Sequence, residues 1–358
     1  MTPFYKQAAE LLEAASNIAI ISHYNPDGDA MGSGLALLNY FKSQHRAANF
    51  IVPSEFPDFL SWLPLASETQ VFSTHPETVN QTIDRADLII LVDFNTMDRI
   101  EDLAPIVNAS GKRLMLIDHH PQPDVPADWI LSDTSVSSTA ELIYRFLDGI
   151  GKAGEINLPT ARCIYTGIMT DTGNFSHNSS RPETFEIVAH LLHIGVDKDA
   201  IHAAVFHNFS ANRMQLLGHV LKDRMKILPE YHTAYLYLTQ KDLSDYNHIT
   251  GDTEGFVNIP FSIKGILFSV LFIEKEEHIK LSLRSKGDFS VNDFTRLHFS
   301  GGGHKHAAGG KSFTSLENSL QQFESLLPSY SDALRTAYQS LVEAPAVPFE
   351  LQPKPSDS

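Results

Sequence analysis

The chain has 358 residues, of which 42% are hydrophobic and 20% charged, so it holds enough apolar material for two globular domains. Its formal net charge of −16, without a run rich in lysine or arginine, argues against long duplex nucleic acid as a partner. No apolar run reaches the ~20 residues that cross a bilayer, and the N-terminus lacks the pattern of a secretion signal. A single cysteine, Cys163, excludes an internal disulfide framework and a thiolate metal cluster. We therefore expect a cytoplasmic protein without a membrane partner.

The first half of the chain alternates short apolar runs with helical patterns. Runs rich in isoleucine, leucine and valine predict buried strands at Asn17–Ser22, Ala86–Asp93 and Arg113–Asp118. Helical patterns lie at Ala30–Gln44, Ser137–Ile150, Thr160–Thr170 and Pro182–Gly195. Strands that alternate with helices are typical of a parallel sheet covered on both faces. We predict an α/β fold for residues 1–195, with a doubly wound, mostly parallel sheet.

The second half predicts a smaller α/β domain of a different kind. After a helical linker at 196–230, predicted strands lie at Thr233–Thr239, Gly265–Lys275 and His278–Ser285. Their meander-like order, a glycine-rich segment and a long helix from about Leu316 to Val342 indicate a mixed sheet in a second domain at 231–342. The last residues, 343–358, carry four prolines and predict an extended or disordered tail.

Acidic and histidine residues recur at the carboxyl ends of the predicted strands. In chain order these residues are His23, Asp27 and Asp29 after the first strand, Asp93 after the second, and Asp118, His119 and His120 after the third. A further carboxylate, Asp171, follows the helix at Thr160–Thr170. Because ligands bind outside the carboxyl ends of strands in open parallel sheets, we expect these groups to meet at one place.

Each aspartate taken singly has an ordinary structural interpretation. Asp29 is a candidate cap for the helix that begins at Ala30, and Pro26-Asp27-Gly28 is a candidate turn. Capping has no use for histidine, however, and His23 and His119 stand close to carboxylates in the sequence. The recurrence at four predicted element ends therefore favours a ligand site over separate caps.

Carboxylates and imidazoles without sulfur form a ligand set for a harder cation than structural zinc. The imidazoles favour Mn²⁺, with Mg²⁺ and Co²⁺ as alternatives. A set of four carboxylates and two imidazoles gives six ligands, which is more than one cation needs if it also holds water and substrate. Two cations about 3.5–4 Å apart with a bridging carboxylate therefore fit better. Such a pair lowers the pKa of water and stabilises charge on phosphoryl oxygens. These residues therefore predict a two-metal hydrolase.

The segments His23-x-x-x-Asp27-x-Asp29, Asp93, Asp118-His119-His120 and Asp171 resemble, in order, the motifs of the DHH phosphoesterase superfamily. Gly301-Gly302-Gly303-His304 resembles the glycine-rich signature of the associated DHHA1 domain. The likeness covers about residues 15–340. Three consecutive glycines also let backbone N–H groups approach an anion, although a flexible loop or a sheet corner is the ordinary interpretation.

The resemblance implies a role for each of these residues. The ligands would divide between two cations, with His23 and Asp27 at one, Asp29, His119 and Asp171 at the other, and Asp93 bridging. His120 would join Asp93 as a catalytic or phosphate-contacting residue, and Asp118 would orient an imidazole. Substrate would be held in the second domain by Arg284, Gly301, Gly302, Gly303 and His304.

Within the superfamily, the domain pair and the length resemble the NrnA-type branch. That resemblance implies hydrolysis of short oligoribonucleotides and of 3′-phosphoadenosine 5′-phosphate. One alternative is a phosphodiesterase of cyclic or linear signalling dinucleotides such as c-di-AMP and pApA. An alternative of another class is a non-catalytic nucleotide-binding sensor. The sequence leaves the oligomeric state open, with a homodimer as one alternative.

Overall fold

The computed structural model describes residues 1–343, which form two compact units, Met1–Ser210 and a second unit that begins at Ala211. The predicted proline-rich tail therefore lies outside the described residues, apart from Glu343. No helix among residues 1–343 is both long enough and apolar enough to cross a membrane.

The first unit is built around a parallel sheet. Its strands are β1 (Asn17–Ile21), β2 (Ala47–Val52), β3 (Gln70–Val71), β4 (Leu88–Val92), β5 (Arg113–Asp118) and β6 (Trp129–Ser132). Its helices are α1 (Pro3–Ala14), α2 (Gly28–Ser43), α3 (Pro76–Arg85), α4 (Leu103–Ala109), α5 (Thr139–Gly149), α6 (Leu158–Asp171), α7 (Pro182–Ile194) and α8 (Lys198–Phe206). Within residues 1–210 the strand order is β3-β2-β1-β4-β5-β6, and all neighbours pair in parallel. The predicted doubly wound parallel sheet is confirmed.

Both faces of this sheet are buried. Ile18 and Ile20 of β1 belong to one hydrophobic cluster, and Ala19 and Ile21 belong to another. A strand covered on both faces reads as a continuous apolar run, which is why the sequence revealed β1, β4 and β5. The strands that the sequence did not reveal, β2, β3 and β6, lie at or next to the edges of the sheet. The burial of β2 alternates in its first half, and β3 has only two residues, so neither gives a long apolar run.

Helix α2 begins at Gly28, two residues earlier than predicted, because Asp27 and not Asp29 is its cap. Asp27 Oδ1 accepts the backbone N–H of Asp29 at 3.0 Å and that of Ala30 at 3.1 Å. Asp29 therefore lies inside the first turn of the helix, where its side chain is buried.

Helices α2 and α6 approach closely because each carries a glycine where they meet. A Cβ at Gly32 would lie 2.7 Å from the carbonyl oxygen of Cys163 and 2.9 Å from the backbone nitrogen of Gly167. A Cβ at Gly167 would lie 2.8 Å from Asp29 Oδ1. The contact brings Asp171, at the end of α6, next to the first turn of α2.

The second unit has a mixed sheet, as predicted. Its strands are β7 (Met225–Leu228), β8 (Thr233–Leu238), β9 (Phe268–Glu274), β10 (Ile279–Ser285), β11 (Ser300–Gly303) and β12 (Ala307–Ser312). Its helices are α9 (Ala211–Asp223), α10 (Gln240–Asp245), α11 (Val291–His298) and α12 (Leu316–Glu343). Within residues 211–343 the order is β11-β12-β10-β9-β8-β7, with β8 and β9 parallel and the other neighbours antiparallel. The glycine run forms the edge strand β11.

Asp242, in the first turn of α10, is the centre of a polar network in this unit. Thr239 and Asp242 form a capping box, in which each side chain accepts the backbone N–H of the other at 3.0 Å. Arg224 donates to both carboxylate oxygens at 3.0 and 3.1 Å, and His219 Nε2 lies 2.9 Å from Oδ1. Burial by itself raises the pKa of Asp242, but these partners, Arg224 foremost, bring it well below its usual range.

We expect Gly32→Ala to lower the free energy of unfolding by about 1–3 kcal/mol, because the new methyl group overlaps backbone atoms of α6. Gly154→Ala is the control in the same unit, since a Cβ there meets no atom within 4 Å. The control should change stability by less than about 1 kcal/mol. Urea unfolding followed by circular dichroism measures both variants. Equal effects would contradict this account of the helix contact.

Asp242→Asn should destabilise the second unit by about 1.5–3 kcal/mol near neutral pH, since it removes a charged hydrogen-bond acceptor. The pKa of Asp242 in the folded state is below its unfolded value of about 3.9. The stabilisation is therefore present above the unfolded pKa and is lost as the pH falls toward the folded pKa. Urea unfolding at a series of pH values should show the difference from wild type shrinking in acid. A difference independent of pH would refute the charge contribution.

Candidate metal centre

The acidic and histidine residues of the first unit converge at the carboxyl end of its sheet. Their donor atoms form three groups in which all donors lie within 4.8 Å of one another: His23, Asp27 and Asp93 in the first, Asp29, His119 and Asp171 in the second, and Asp93, Asp118 and His120 in the third. The first and second groups, called the two donor groups below, contain the six predicted ligands. The groups meet at Asp93, whose Oδ2 lies 3.5 Å from His23 Nε2 and whose Oδ1 lies 3.8 Å from His119 Nε2. Residues from four separate parts of the sequence thus surround one small region.

Asp93 follows β4 with a φ of 66°, in the left-handed region of backbone space. Aspartate tolerates this region better than most residues do. Its N–H still donates to the carbonyl of Ile117 in β5 at 3.1 Å, so the residue stays attached to the sheet where the strand ends. Its carboxylate is buried and accepts the hydroxyl of Thr139 at 2.8 Å.

His23 and His119 each have a ring nitrogen tied to the backbone. His23 Nδ1 donates to the carbonyl of Tyr24 at 2.9 Å, because a carbonyl can only accept, and this assigns the lone pair to Nε2. His119 likewise hydrogen-bonds the backbone of Val136, and its Nε2 lies 3.6 Å from Asp171 Oδ2. Burial lowers the pKa of both rings. Neutral imidazoles held in this way are suited to donate to a metal.

Asp118 and His120 form a pair beside these groups. His120 Nδ1 donates to Asp118 Oδ1 at 2.7 Å and lies 3.8 Å from Asp93 Oδ1. Burial raises the pKa of Asp118 to about 6, and burial together with the neighbouring His119 lowers that of His120 well below its usual value. The hydrogen bond to Nδ1 shows that the imidazole oriented by Asp118 is that of His120.

Like charges crowd the buried carboxylates. Burial raises the pKa of Asp29, and Asp93 and Asp171 raise it further. Burial and the charge of Asp27 act on Asp93 in the same direction. The pKa of Asp27 is lowered instead, since His23 and the N–H groups that it caps outweigh the effect of burial. A divalent cation would offset this repulsion, and oxygen and imidazole donors without sulfur suit Mn²⁺ or Mg²⁺. The residues therefore fit a bound metal.

The helix predicted at Ser137–Ile150 is α5, but the sequence assigned no role in the site to its start, which supplies donors to two of these carboxylates. The N–H of Thr139 donates to Asp29 Oδ2 at 2.6 Å, and the N–H of Ala140 donates to Asp29 Oδ1 at 2.9 Å. The hydroxyl of Thr139 binds Asp93. A helix N-terminus stabilises negative charge, and the Ser-x-x-Glu spacing at 138–141 was the signal that marked this one.

The residues predicted to hold substrate lie in the second unit. Arg284 is half-buried in β10, and Gly301–Gly303 pair with β12 as an antiparallel edge strand. The N–H of Gly303 donates to Asn292 Oδ1 at 2.9 Å, so that group is already engaged within the unit. His304 opens the turn between β11 and β12. The strand pairing thus gives the glycines a structural use, and their contact with substrate stays a prediction.

Two family profiles match this chain. The DHH family, N-terminal domain, matches residues 17–168, and the DHHA1 domain matches residues 231–333. The first range contains the predicted ligands except Asp171, which lies three residues beyond it, and the second contains Arg284 and the glycine run.

Two bacterial proteins show the likeness in sequence. A Streptococcus mutans protein named as a probable bifunctional oligoribonuclease and PAP phosphatase NrnA is 29% identical over 91% of this chain and 100% of its own length. The Bacillus subtilis bifunctional oligoribonuclease and PAP phosphatase NrnA is 28% identical over 82% of this chain and 88% of its own length.

Solved structures extend the likeness to the fold. An exopolyphosphatase-related protein from Bacteroides fragilis is 39% identical with a TM-score of 0.89, covering 94% of this chain and 100% of the other. RecJ from Thermus thermophilus in complex with Mn²⁺ has a TM-score of 0.55 at 15% identity, covering 92% of this chain and 55% of RecJ, and it supports the fold alone.

The profile matches follow one another in the order of the sequence motifs, and the Bacteroides fragilis relative is similar over nearly the whole of both chains. The carboxylates and imidazoles at the carboxyl end of the first sheet lie within or next to the first profile match. The chain therefore belongs to the DHH family, as a metal-dependent phosphoesterase whose DHH domain is followed by a DHHA1 domain.

Proposed function

We propose that this enzyme hydrolyses short oligoribonucleotides and 3′-phosphoadenosine 5′-phosphate. The observation that carries the proposal is the pair of donor groups that meet at Asp93. Hydrolysis of a phosphoester needs charge stabilisation at both the attacking and the leaving oxygen, and two adjacent metal positions provide it. The names of the Streptococcus mutans and Bacillus subtilis relatives support the choice of substrate.

The two donor groups support a division of the proposed ligands between two cations. His23 and Asp27 would hold one cation, Asp29, His119 and Asp171 would hold the other, and Asp93, whose Oδ1 lies 3.8 Å from His119 Nε2, would contact both. Bound divalent cations would lower the pKa of a water molecule and stabilise charge on the phosphoryl and leaving oxygens. Mn²⁺ is the expected cation because two of the six ligands are imidazoles, with Mg²⁺ and Co²⁺ as alternatives.

Hydrogen bonds within the protein orient the imidazoles of the site, and one of these imidazoles can carry a proton. Backbone hydrogen bonds hold His23 and His119 with Nε2 toward the carboxylates. Asp118 holds His120 by its Nδ1 in the same manner, and we assign to His120 the contact with the phosphoryl group of the substrate. A ring fixed by a carboxylate offers one defined nitrogen to that group, which is what a proton carrier at the scissile bond requires.

Substrate recognition is assigned to the second unit. The guanidinium of Arg284 can bind a phosphate with two parallel hydrogen bonds. Gly301–Gly303 and His304 would contact the part of the substrate away from the scissile bond. A limited number of such contacts would favour short oligonucleotides over long ones.

The full-length protein with Mn²⁺ should hydrolyse di- to pentaribonucleotides and release phosphate from 3′-phosphoadenosine 5′-phosphate, and EDTA should abolish both reactions. Chromatography of the ladder and a phosphate assay measure the two activities. Cyclic dinucleotides and inorganic polyphosphate belong in the same panel, the latter because of the name of the Bacteroides fragilis relative. Turnover of cyclic dinucleotides or polyphosphate alone would replace the proposed substrate. Nucleotide binding without turnover of any substrate would indicate a sensor.

Asp93→Asn should lower kcat by about 100-fold or more, because it removes the negative charge shared by the two donor groups. Asparagine tolerates the left-handed backbone of this residue, so the fold should persist. Asp84→Asn, at an exposed position of α3, is the matched control and should keep wild-type activity. Thermal unfolding in EDTA checks that both variants fold. Normal turnover by a folded Asp93→Asn variant would refute the proposed two-metal site.

A further inference from the structure

One short segment, residues 136–141, contacts three of the proposed ligands. The backbone of its first residue hydrogen-bonds the ring of His119. Further along, Thr139 donates its N–H to Asp29 Oδ2 at 2.6 Å and its hydroxyl to Asp93 Oδ1 at 2.8 Å. The three ligands come from the end of β5, the first turn of α2 and the end of β4. The segment therefore ties together parts of the site that the sequence keeps far apart.

Thr139 links the two donor groups directly. Asp29 belongs to one group and Asp93 to the other, and both carboxylates are buried. Like charges repel more strongly where water is excluded, so the separation of these carboxylates needs a fixed donor between them. Thr139 is itself fully buried, which prevents water from taking over its hydrogen bonds. Thr139 is thus a buried bridge of hydrogen bonds between the two carboxylates.

Glu141 holds this segment from behind. Its fully buried carboxylate accepts the N–H of Ser137 at 3.1 Å and the Ser137 hydroxyl at 2.6 Å. The hydroxyl of Thr184 in α7 donates to the same oxygen at 2.8 Å, and Arg145 donates to the other oxygen at 2.9 and 2.5 Å. A buried carboxylate is tolerated only while its donors stay in place, so this network constrains the backbone just before Thr139.

The contact differs from that of an ordinary capping box. Ser138 is the cap of α5, and its hydroxyl accepts the N–H of Glu141 at 3.1 Å. In the usual arrangement the glutamate would bond back to the N–H of the cap residue. Here it bonds Ser137, one residue earlier. Glu141 therefore fixes Ser137, the residue before the cap of α5, in addition to the first turn of the helix.

We propose that Thr139 is a positioning residue of the metal centre and that Glu141 is the anchor that keeps Thr139 between Asp29 and Asp93. The inference rests on the proposed two-metal function. Groups that orient metal ligands commonly change metal affinity about 10–100-fold when they are removed. Thr139 acts through the carboxylates, so its loss changes metal binding and turnover while leaving KM for substrate unchanged.

Thr139→Val and Thr139→Ser form a matched pair, because valine keeps the shape and the N–H while serine keeps the hydroxyl. Calorimetric titration of the full-length protein with Mn²⁺ should show affinity about 10–100-fold weaker for Thr139→Val and close to wild type for Thr139→Ser. Thermal unfolding in EDTA reports the stability of the metal-free chain. A purely structural hydroxyl would lower that stability in Thr139→Val and leave Mn²⁺ affinity unchanged, which would overturn the proposal.

Glu141→Gln tests the anchor, since it keeps the size of the side chain and removes its charge. Hydrogen exchange of the peptide that covers residues 136–141 should become faster, and Mn²⁺ affinity should fall together with it. Thr184→Val removes a single donor to Glu141 and is the milder variant if Glu141→Gln does not fold. Faster exchange with unchanged Mn²⁺ affinity would show that the anchor does not act on the metal centre.

The same experiments separate this inference from the proposed function. A wild-type protein that binds no Mn²⁺ and hydrolyses none of the panel would refute the function itself. A wild-type protein that binds Mn²⁺ and hydrolyses short RNA, with Thr139→Val unchanged in both respects, would refute the positioning role alone.

Discussion

Repulsion among buried carboxylates is the constraint that the first unit is built to satisfy. Asp29 and Asp93 are both almost fully buried, and burial raises the pKa of each. Neighbouring carboxylates raise these pKa values further, Asp93 foremost for Asp29 and Asp27 foremost for Asp93. The protein offsets part of that repulsion with the N-terminus of α5, through the N–H groups of Thr139 and Ala140. A bound divalent cation would offset the remaining repulsion, which is consistent with a metal-dependent phosphoesterase.

The close contact of α2 and α6 delivers two of these carboxylates to the same place. Gly32 and Gly167 leave no room for side chains where the helices meet, so Asp29 and Asp171 lie near each other. Bulk at either glycine would separate groups that belong to one proposed cation position. The contact between α2 and α6 therefore has two effects. It contributes to the stability of the first unit, and it places Asp29 and Asp171 close together.

Local patterns in the sequence were enough for the central strands and for the identity of the chemical groups. The strands β1, β4 and β5 have apolar residues at every interior position because both faces of the sheet are buried. Parallel strands bring their carboxyl ends to one edge, which made the convergence of His23, Asp93 and His119 predictable. The choice of oxygen and nitrogen donors likewise followed from the residue types alone. Hydrophobic periodicity is a local property of the sequence, and the convergence of strand ends follows from the general topology of parallel sheets. Both can therefore be predicted without the tertiary structure.

Only the tertiary structure decided how these groups are held. Asp27, not Asp29, caps α2, and the difference depends on where the helix starts within the packed unit. The hydrogen bonds from Thr139 to Asp29 and Asp93 join residues 110 and 46 positions apart, and no local pattern encodes such contacts. The glycine run at Gly301–Gly303 became an edge strand because β12 was available to pair with it. Sequence alone therefore determined which groups converge at this edge of the sheet, whereas long-range packing determined their spacing, their donors and their orientation.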